Sequence, residues 1–393
     1  MQILKRNGLL QAYDRTKIEH AIQKAFWGLL SEISEEELGI LLAEVEGQIT
    51  DGCSVELIQD HVEESLMRHG YLKAAKAYIL YRQHHADLRQ SAGELAKLIG
   101  DPALPALLSE IQDDFPEDLY SLQLLLLKFR SFYKEDMTLA KAYATLERAS
   151  VELISKDAPK WEMIAARFLS LHLERQVQEQ TKELGLSDWY EKLSWLTKEG
   201  YVGTFLLEHY SHSDIEELSA FLKPERNKLF NYSGLDLLAK RYLIRDHRHR
   251  LLETPQEMFM GIAMHLAIPE KDRVHWAKEI YEILSTLKVT MATPTISNAR
   301  KPFHQMSSCF IDTVEDSLTG IYRSIDNFAQ VSKHGGGMGL YFGKVRANGS
   351  SIRGFEGAAG GVIRWIKLVN DTATAVDQLG VRQGAAAVYL DAW

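Results

Sequence analysis

One thiol stands where the chain could do chemistry. In "HQMSSCFIDTVEDSL", His304 to Leu318, Cys309 lies between small hydroxyl residues and a strand-like run. A buried thiol in a strand is simply a small hydrophobe. A working thiol needs a second thiol to form a disulfide, or a base that lowers its pKa. The chain has 2 cysteines, and the other, Cys53, falls in a turn near the amino end. Nothing in the sequence brings the two together, so a catalytic Cys309 requires a partner outside this chain.

The segments that follow Cys309 have the residue types of ligand loops. Asp316 and Ser317 open a helix, where Asp and Ser serve as caps. The same helix end offers free N–H groups to a phosphate or a sugar hydroxyl. "KHGGGMG" (333–339) allows close backbone approach to a ligand, or simply stops a helix. Arg346 and Arg353 flank a glycine turn, and Gln378 and Arg382 fall between a helix and a strand. Together these loops are expected to line one end of one sheet. Near the amino end, Lys5 and Arg6 precede a hairpin turn and Lys17 lies in the first turn of the next helix. Three cations at a helix start suit a phosphate, or form a solvated basic face. The histidine clusters "QHHAD" and "RDHRHR" lack Cys or carboxylate company at metal-ligand spacing and read as surface.

The elements that must position these residues come in two styles. "QILKRNGLLQAYD" predicts a hairpin with a two-residue Asn-Gly turn. Asp14 caps a helix with Ile18, Ile22, Phe26 and Leu29 on one face, "SEEE" is a capping box, Ser54 caps a third helix that ends at Gly70, and a fourth follows. "GDPALP" (100–105) breaks the pattern, and 105 to about 285 is mostly helical by periodicity. After Leu287 the pattern becomes strand, helix, strand, helix, strand, which implies right-handed crossovers and a parallel sheet. Leu318, Ile321, Ile325 and Phe328 are the expected buried face of the first of these helices. The chain stops just after a strand, which implies the front part of a larger fold, since parallel sheets are covered on both faces.

Composition narrows the class. Apolar content of 46% supports a sizeable core, and a formal charge of -9 argues against general nucleic-acid binding. Two cysteines cannot form a disulfide scaffold, and no signal peptide or membrane-length apolar run is visible, so a cytoplasmic protein is expected.

Several stretches resemble a known family. "LKRNGLLQAYDRTKIEHAI" with "AAKAYILYRQ" resembles an ATP-cone, the regulatory nucleotide module of ribonucleotide reductases. "NKLFNYSGLDLLAKRYL", "ATPTISNARKPFHQMSSCFIDTVEDSL", "VSKHGGGMGLYFGKVRANGSSIRG" and "DQLGVRQGAAAVYLDAW" resemble the catalytic large (alpha) subunit of a class I ribonucleoside-diphosphate reductase. The resemblance implies a mixed α/β fold with an ATP-cone over 1–90, a helical connector over 91–135, a helical domain over 136–230 and the first strands of an incomplete ten-stranded α/β barrel over 231–393.

The resemblance also implies roles. Cys309 corresponds to a cysteine that becomes half of a disulfide in each turnover. Thr293, Ser308 and Gly336 correspond to substrate-site positions. Asp316, Ser317 and Arg346 correspond to the site of the dNTP that sets substrate choice, and Gln378 and Arg382 to the loop that relays it. Lys5, Arg6, Gln11, Asp14 and Lys17 fall on ATP- or dATP-contacting positions of the cone, with Gln11 where a carboxylate is common. The implied partners are a small (beta) subunit whose metal cofactor supplies a radical, a thioredoxin- or glutaredoxin-type reductant, a C-terminal part that holds the radical cysteine and second thiol, and further copies of the large subunit. No nucleic acid, membrane or resident metal is implied. A non-catalytic nucleotide-binding regulator and a cobalamin-dependent or glycyl-radical reductase are the competing readings.

Overall fold

The computed structural model describes residues 1–5, 8–27, 29–377 and 383–392, without the side chains of 84 and 85. Two compact units, Met1–Glu135 and Asp136–Trp393, divide the chain.

In the first unit, β1 (Gln2–Leu4) and β2 (Leu10–Ala12) pair antiparallel, and β3 (Cys53–Ser54) joins β1 in parallel. Arg6 and Asn7, where the two-residue Asn-Gly turn is expected, lie outside the described residues. The Lys5 N–H donates to the Leu9 carbonyl and the Gly8 N–H to the Lys5 carbonyl, both at 2.9 Å, with Gly8 at φ +79°. Glycine adopts this left-handed conformation without a Cβ clash. Four helices follow, α1 (Arg15–Trp27), α2 (Glu35–Gln48), α3 (Val55–Arg68) and α4 (Leu72–Ile99). Ser34 and Glu37 form the expected capping box of α2, and Ser54 caps α3. Ile22, Val45 and Leu66 are completely buried between these helices. Leu29 lies past the end of α1 and is exposed. The last helix is a single 28-residue rod that runs on past residue 90 and stops at Gly100, φ +78°. Next come α5 (Leu104–Asp114) and α6 (Leu122–Phe132).

The second unit begins with helices α7 (Leu139–Val151), α8 (Trp161–Glu183), α9 (Trp189–Lys198), α10 (Phe205–His209), α11 (His212–Ala220), α12 (Tyr232–Arg241), α13 (Pro255–Ala267), α14 (Arg273–Ser285) and α15 (Thr293–Asn298). The core shared by α8 to α15 runs from Leu169 to Ala299 and includes the nearly continuous apolar surface of α13. A buried ion pair crosses it. The Arg300 side chain is 2% exposed and that of Glu253 5%. Arg300 Nε and Nη2 both bond Glu253, and Nη2 also donates to the Tyr242 carbonyl at 2.8 Å. Gly261 of α13 leaves room for the arginine stem, because a Cβ there would stand 3.1 Å from Arg300 Cδ.

The unit ends in a three-stranded parallel sheet in the order β4 (Cys309–Thr313), β5 (Gly337–Tyr341), β6 (Ala386–Tyr389). Helix α16 (Leu318–Lys333) connects the first two strands and α17 (Ile363–Ala375) the last two. This is the strand–helix alternation read from the sequence, forming an open partial barrel. Met338 and Leu340 face the two helices together with Phe328 and Val369. Ile321 and Phe328 of α16 are buried as expected, but Leu318 is 66% exposed, because the helix begins beyond the sheet edge of its own core. Among the described residues, no helix is long and apolar enough to cross a membrane.

Removing one charge from the Arg300–Glu253 pair leaves the other buried and uncompensated. Glu253→Gln should therefore lower the free energy of unfolding by roughly 3–5 kcal/mol in urea titrations. Replacing both residues by Met should cost less than the single change, because no charge then stays buried.

Candidate functional site

Alternation along the strands places Cys309, Ile311 and Thr313 on the face of the sheet away from α16 and α17. That face is bare: Cys309 is exposed and Ile311 is 82% exposed. Cys309 pairs in register with Gly337, which has no side chain to cover the thiol. The Ser308 hydroxyl lies 3.5 Å from Cys309 Sγ, and the Ser308 carbonyl accepts the Gly337 N–H at 2.8 Å. So Cys309 is not the small buried hydrophobe that a strand cysteine often is. Cys53 is buried in the other unit.

The three glycines before β5 have separate jobs. Gly335, at φ +91°, ends α16. A Cβ on Gly336 would stand 2.7 Å from both the Phe310 ring and Val331 Cγ1, so this glycine lets the chain pass under the helix. Gly337 opens the surface beside the thiol. Further along the same face, a Cβ on Gly339 would meet the Tyr389 ring at 2.6 Å.

Thr293 occupies the first turn of α15, with Pro294 beside it. Two side chains of α15 tie that short helix to the loop leading into β4. Thr295 Oγ1 donates to the Met306 carbonyl at 3.3 Å, and Asn298 Nδ2 donates to the Gln305 carbonyl at 2.8 Å and the His334 carbonyl at 3.3 Å. Asn298 thus stitches together the chains that enter β4 and β5. Sequence reading passed over it, since a lone Asn after a helix looks like a cap.

Asp316 and Arg346 meet directly. Asp316 Oδ2 accepts from Arg346 Nε at 2.8 Å, and Oδ1 accepts the Arg346 backbone N–H at 3.2 Å. Arg346 Nη1 continues to the Ser351 carbonyl at 3.1 Å. Ser317 caps α16 by accepting the Gly320 N–H at 3.0 Å. Each Asp316 oxygen keeps acceptor capacity for a ligand hydroxyl.

The expectation that all these loops line one end of the sheet is overturned. Ser308, Cys309 and Gly336 lie where β4 and β5 begin, whereas Asp316, Ser317 and Arg346 lie beyond where the same strands finish. In a parallel sheet, loops entering strands and loops leaving them sit at opposite ends. Four residue steps at ~3.3 Å put the ends of β4 about 13 Å apart. Gln378 and Arg382, on the segment entering β6, lie outside the described residues, as does Arg6.

In the first unit, Lys5 starts the hairpin turn, Gln11 is exposed on β2 opposite Ile3, and Asp14 and Lys17 stand at the junction of β2 with α1. Asp14 Oδ1 accepts the Thr16 N–H at 3.1 Å and its hydroxyl at 2.6 Å, and the Thr16 hydroxyl bond holds the Asp14 carboxyl below its usual pKa. Lys17 Nζ lies 3.8 Å from the same carboxylate. Asp14 thus satisfies the Thr16 N–H, one of the donors at the start of α1 that lack an intrahelical partner. Among the described residues, no three His, Cys, Asp or Glu side chains cluster as metal ligands.

Known sequences account for most of this arrangement. Residues 1–87 match the ATP cone domain, 228–304 the all-alpha domain of ribonucleotide reductase and 307–393 its barrel domain. The ribonucleoside-diphosphate reductase subunit alpha of Treponema pallidum is 51% identical over 100% of this chain and 48% of its own length. That of Chlamydia muridarum is 32% identical over 100% of this chain and 41% of its own. The ribonucleoside-diphosphate reductase 1 subunit alpha of Escherichia coli is 29% identical over 70% of this chain and 37% of its own. The chain spans about half the length of such relatives, or less. With an ATP cone, the all-alpha sequence and a partial parallel barrel that presents its cysteine on the open face, the chain belongs to the ribonucleotide reductase alpha-subunit family.

Proposed function

We propose that this chain is the nucleotide-sensing and substrate-facing part of a ribonucleoside-diphosphate reductase, and that Cys309 supplies one of the two electrons of the reaction. The observation that carries the reading is the exposed Cys309 thiol beside Gly337 on the uncovered face of a parallel sheet, within barrel-domain sequence. Reduction of a ribonucleoside diphosphate removes the 2′ hydroxyl as water. Two thiols give up two electrons and close a disulfide. Cys309 is one of them, and the second thiol and the radical-bearing cysteine are assigned to sequence outside these 393 residues. The radical originates in the metal cofactor of a separate small subunit, and a thioredoxin- or glutaredoxin-type protein reopens the disulfide. The work of this chain is to hold the substrate against Cys309, with Thr293, Ser308 and Gly336 around it.

Control is assigned to two further places. Asp316 accepts the deoxyribose hydroxyl of a bound dNTP, Ser317 caps the helix beneath it, and Arg346 faces phosphate, with Gln378 and Arg382 relaying occupancy toward the substrate. Strand β4 and helix α16 give this signal a continuous path, since they join the Asp316 end to the Cys309 end. Lys5, Arg6, Gln11, Asp14 and Lys17 form the ATP or dATP site in a cone over 1–90, followed by the connector 91–135, the helical domain 136–230 and the barrel segment 231–393. Homo-oligomers of the completed subunit in the cytoplasm are the working form. The competing reading, a regulator without catalysis, is separated from this one by turnover after reconstitution.

Two measurements follow. Lys5→Ala with Arg6→Ala removes charge-assisted phosphate contacts worth roughly 1.5–3 kcal/mol each. Calorimetry should show ATP or dATP affinity falling at least tenfold, and unchanged affinity would remove the cone assignment. The second is an activity assay. The chain mixed with a small subunit, substrate, ATP and dithiothreitol should form no deoxynucleotide, and adding the complementary C-terminal polypeptide of a relative should start turnover. Cys309→Ser in that mixture should abolish sustained reduction while leaving nucleotide binding intact, whereas Cys53→Ser should matter little. Turnover by the unassisted chain would sink this account of Cys309.

A further inference from the structure

A cleft of about 520 Å³ opens in the helical part of the second unit, bounded by α8, the start of α9 and the start of α13. None of the residues discussed above as substrate or effector ligands lines it. Its walls are largely apolar, with Val177, Leu186, Trp189, Leu222 and Pro224. Its polar groups are mostly spent on one another. Lys192 donates to both oxygens of Glu257 at 2.7 and 2.8 Å, and Glu257 also completes the capping box of α13 with Thr254. That pair is neutral as a unit.

Glu174 differs. Its Oε1 accepts from Ser170 Oγ and Asn227 Nδ2, each at 3.1 Å. Asn227 is held in turn by Gln256 at 2.8 Å, and Gln256 by the Tyr281 hydroxyl at 2.7 Å. This relay fixes the carboxylate in place. Among the described residues Oε2 has no hydrogen-bond partner, and it belongs to a residue that lines the cleft. Burial pushes the Glu174 carboxyl above its usual pKa, against the pull of its two hydrogen bonds and Arg175. The other charges facing the cleft are Lys182, Asp188, Lys192 and Glu257. Asp188 caps α9 and Lys192 is matched by Glu257, and among the described residues no ion pair joins Glu174 to Lys182 or to another cation.

A fixed carboxylate oxygen among apolar walls suits a cation that carries apolar surface. One carboxylate does not make a metal site, which needs several oxygen or nitrogen ligands. A phosphate is opposed by the same charge. We propose that this cleft binds a small organic ammonium ion, with its N–H donating to Glu174 Oε2 and its apolar body against Val177, Leu186 and Leu222.

The test uses the full 393-residue chain and phenethylamine, with phenethyl alcohol as the uncharged match. Calorimetry should show saturable binding of the amine, at least tenfold tighter than the alcohol. Glu174→Gln keeps the relay acceptor but removes the charge, and should weaken the amine at least tenfold with the thermal midpoint held. Binding should also weaken as pH falls through the raised Glu174 pKa, since the proton competes with the ammonium. Equal affinity for amine and alcohol, or full amine binding by Glu174→Gln, would overturn the proposal. If that variant unfolds, Leu186→Trp fills the cleft mouth from a loop, and undiminished amine binding by it would overturn the proposal as well. No nucleotide enters this experiment, so its outcome is independent of the reductase reading.

Discussion

The Arg300–Glu253 pair is the constraint from which the Cys309 end of the second unit hangs. Arg300 reaches the carboxylate at the head of α13, the Tyr242 carbonyl after α12 and the Ile296 carbonyl within α15, and its own carbonyl accepts the Gly203 N–H at 2.9 Å. Three segments meet at one guanidinium, and a fourth is held by the arginine's own carbonyl. A charge this deeply buried is tolerated only with its partner and hydrogen bonds complete, so the arrangement is all-or-none. The chain leaves Arg300 and reaches Cys309 nine residues later, so the geometry of this pair sets where that loop starts.

From there a second tie takes over. Asn298 holds the carbonyls of Gln305 and His334, and these lie on the two segments that enter β4 and β5. The strands then align Cys309 with Gly337 through ordinary ladder bonds. Helices α16 and α17 cover one face of the sheet and leave the thiol face open. The apolar exposure of Ile311 on the same face is costly in water, and burying such a side chain stabilises by about 1.5–3 kcal/mol, so this surface favours being covered.

The Asp316–Arg346 pair marks the opposite end. Each group is about one-third exposed, which makes the pair weak as a stabilising contact. Its importance is positional, since it joins the turn after β4 to the loop after β5.

Much of this was legible in residues close to one another. Ser34 with Glu37, Ser54, Gly70, Gly100 and Gly335 end or begin helices for reasons contained within one turn, and the alternation of strand and helix after Leu287 already implied a parallel sheet. The resemblance to reductase sequences rests on the same kind of contiguous signal. What the sequence did not disclose depended on partners far apart. Leu318 fitted a helical stripe but found no core above it. Cys309 came out exposed because both helices took the other face. Arg300 lies 47 residues from Glu253, and Glu174 lies 53 from Asn227. The separation of the Cys309 end from the Asp316 end follows from strand direction, which a list of loops does not carry. Local propensity and capping are set by a few neighbouring residues, so sequence alone determined them. Which face is bare, which charges pair and which carboxylate is left with a free oxygen depend on chain closure over tens of residues, so only the tertiary structure decided them.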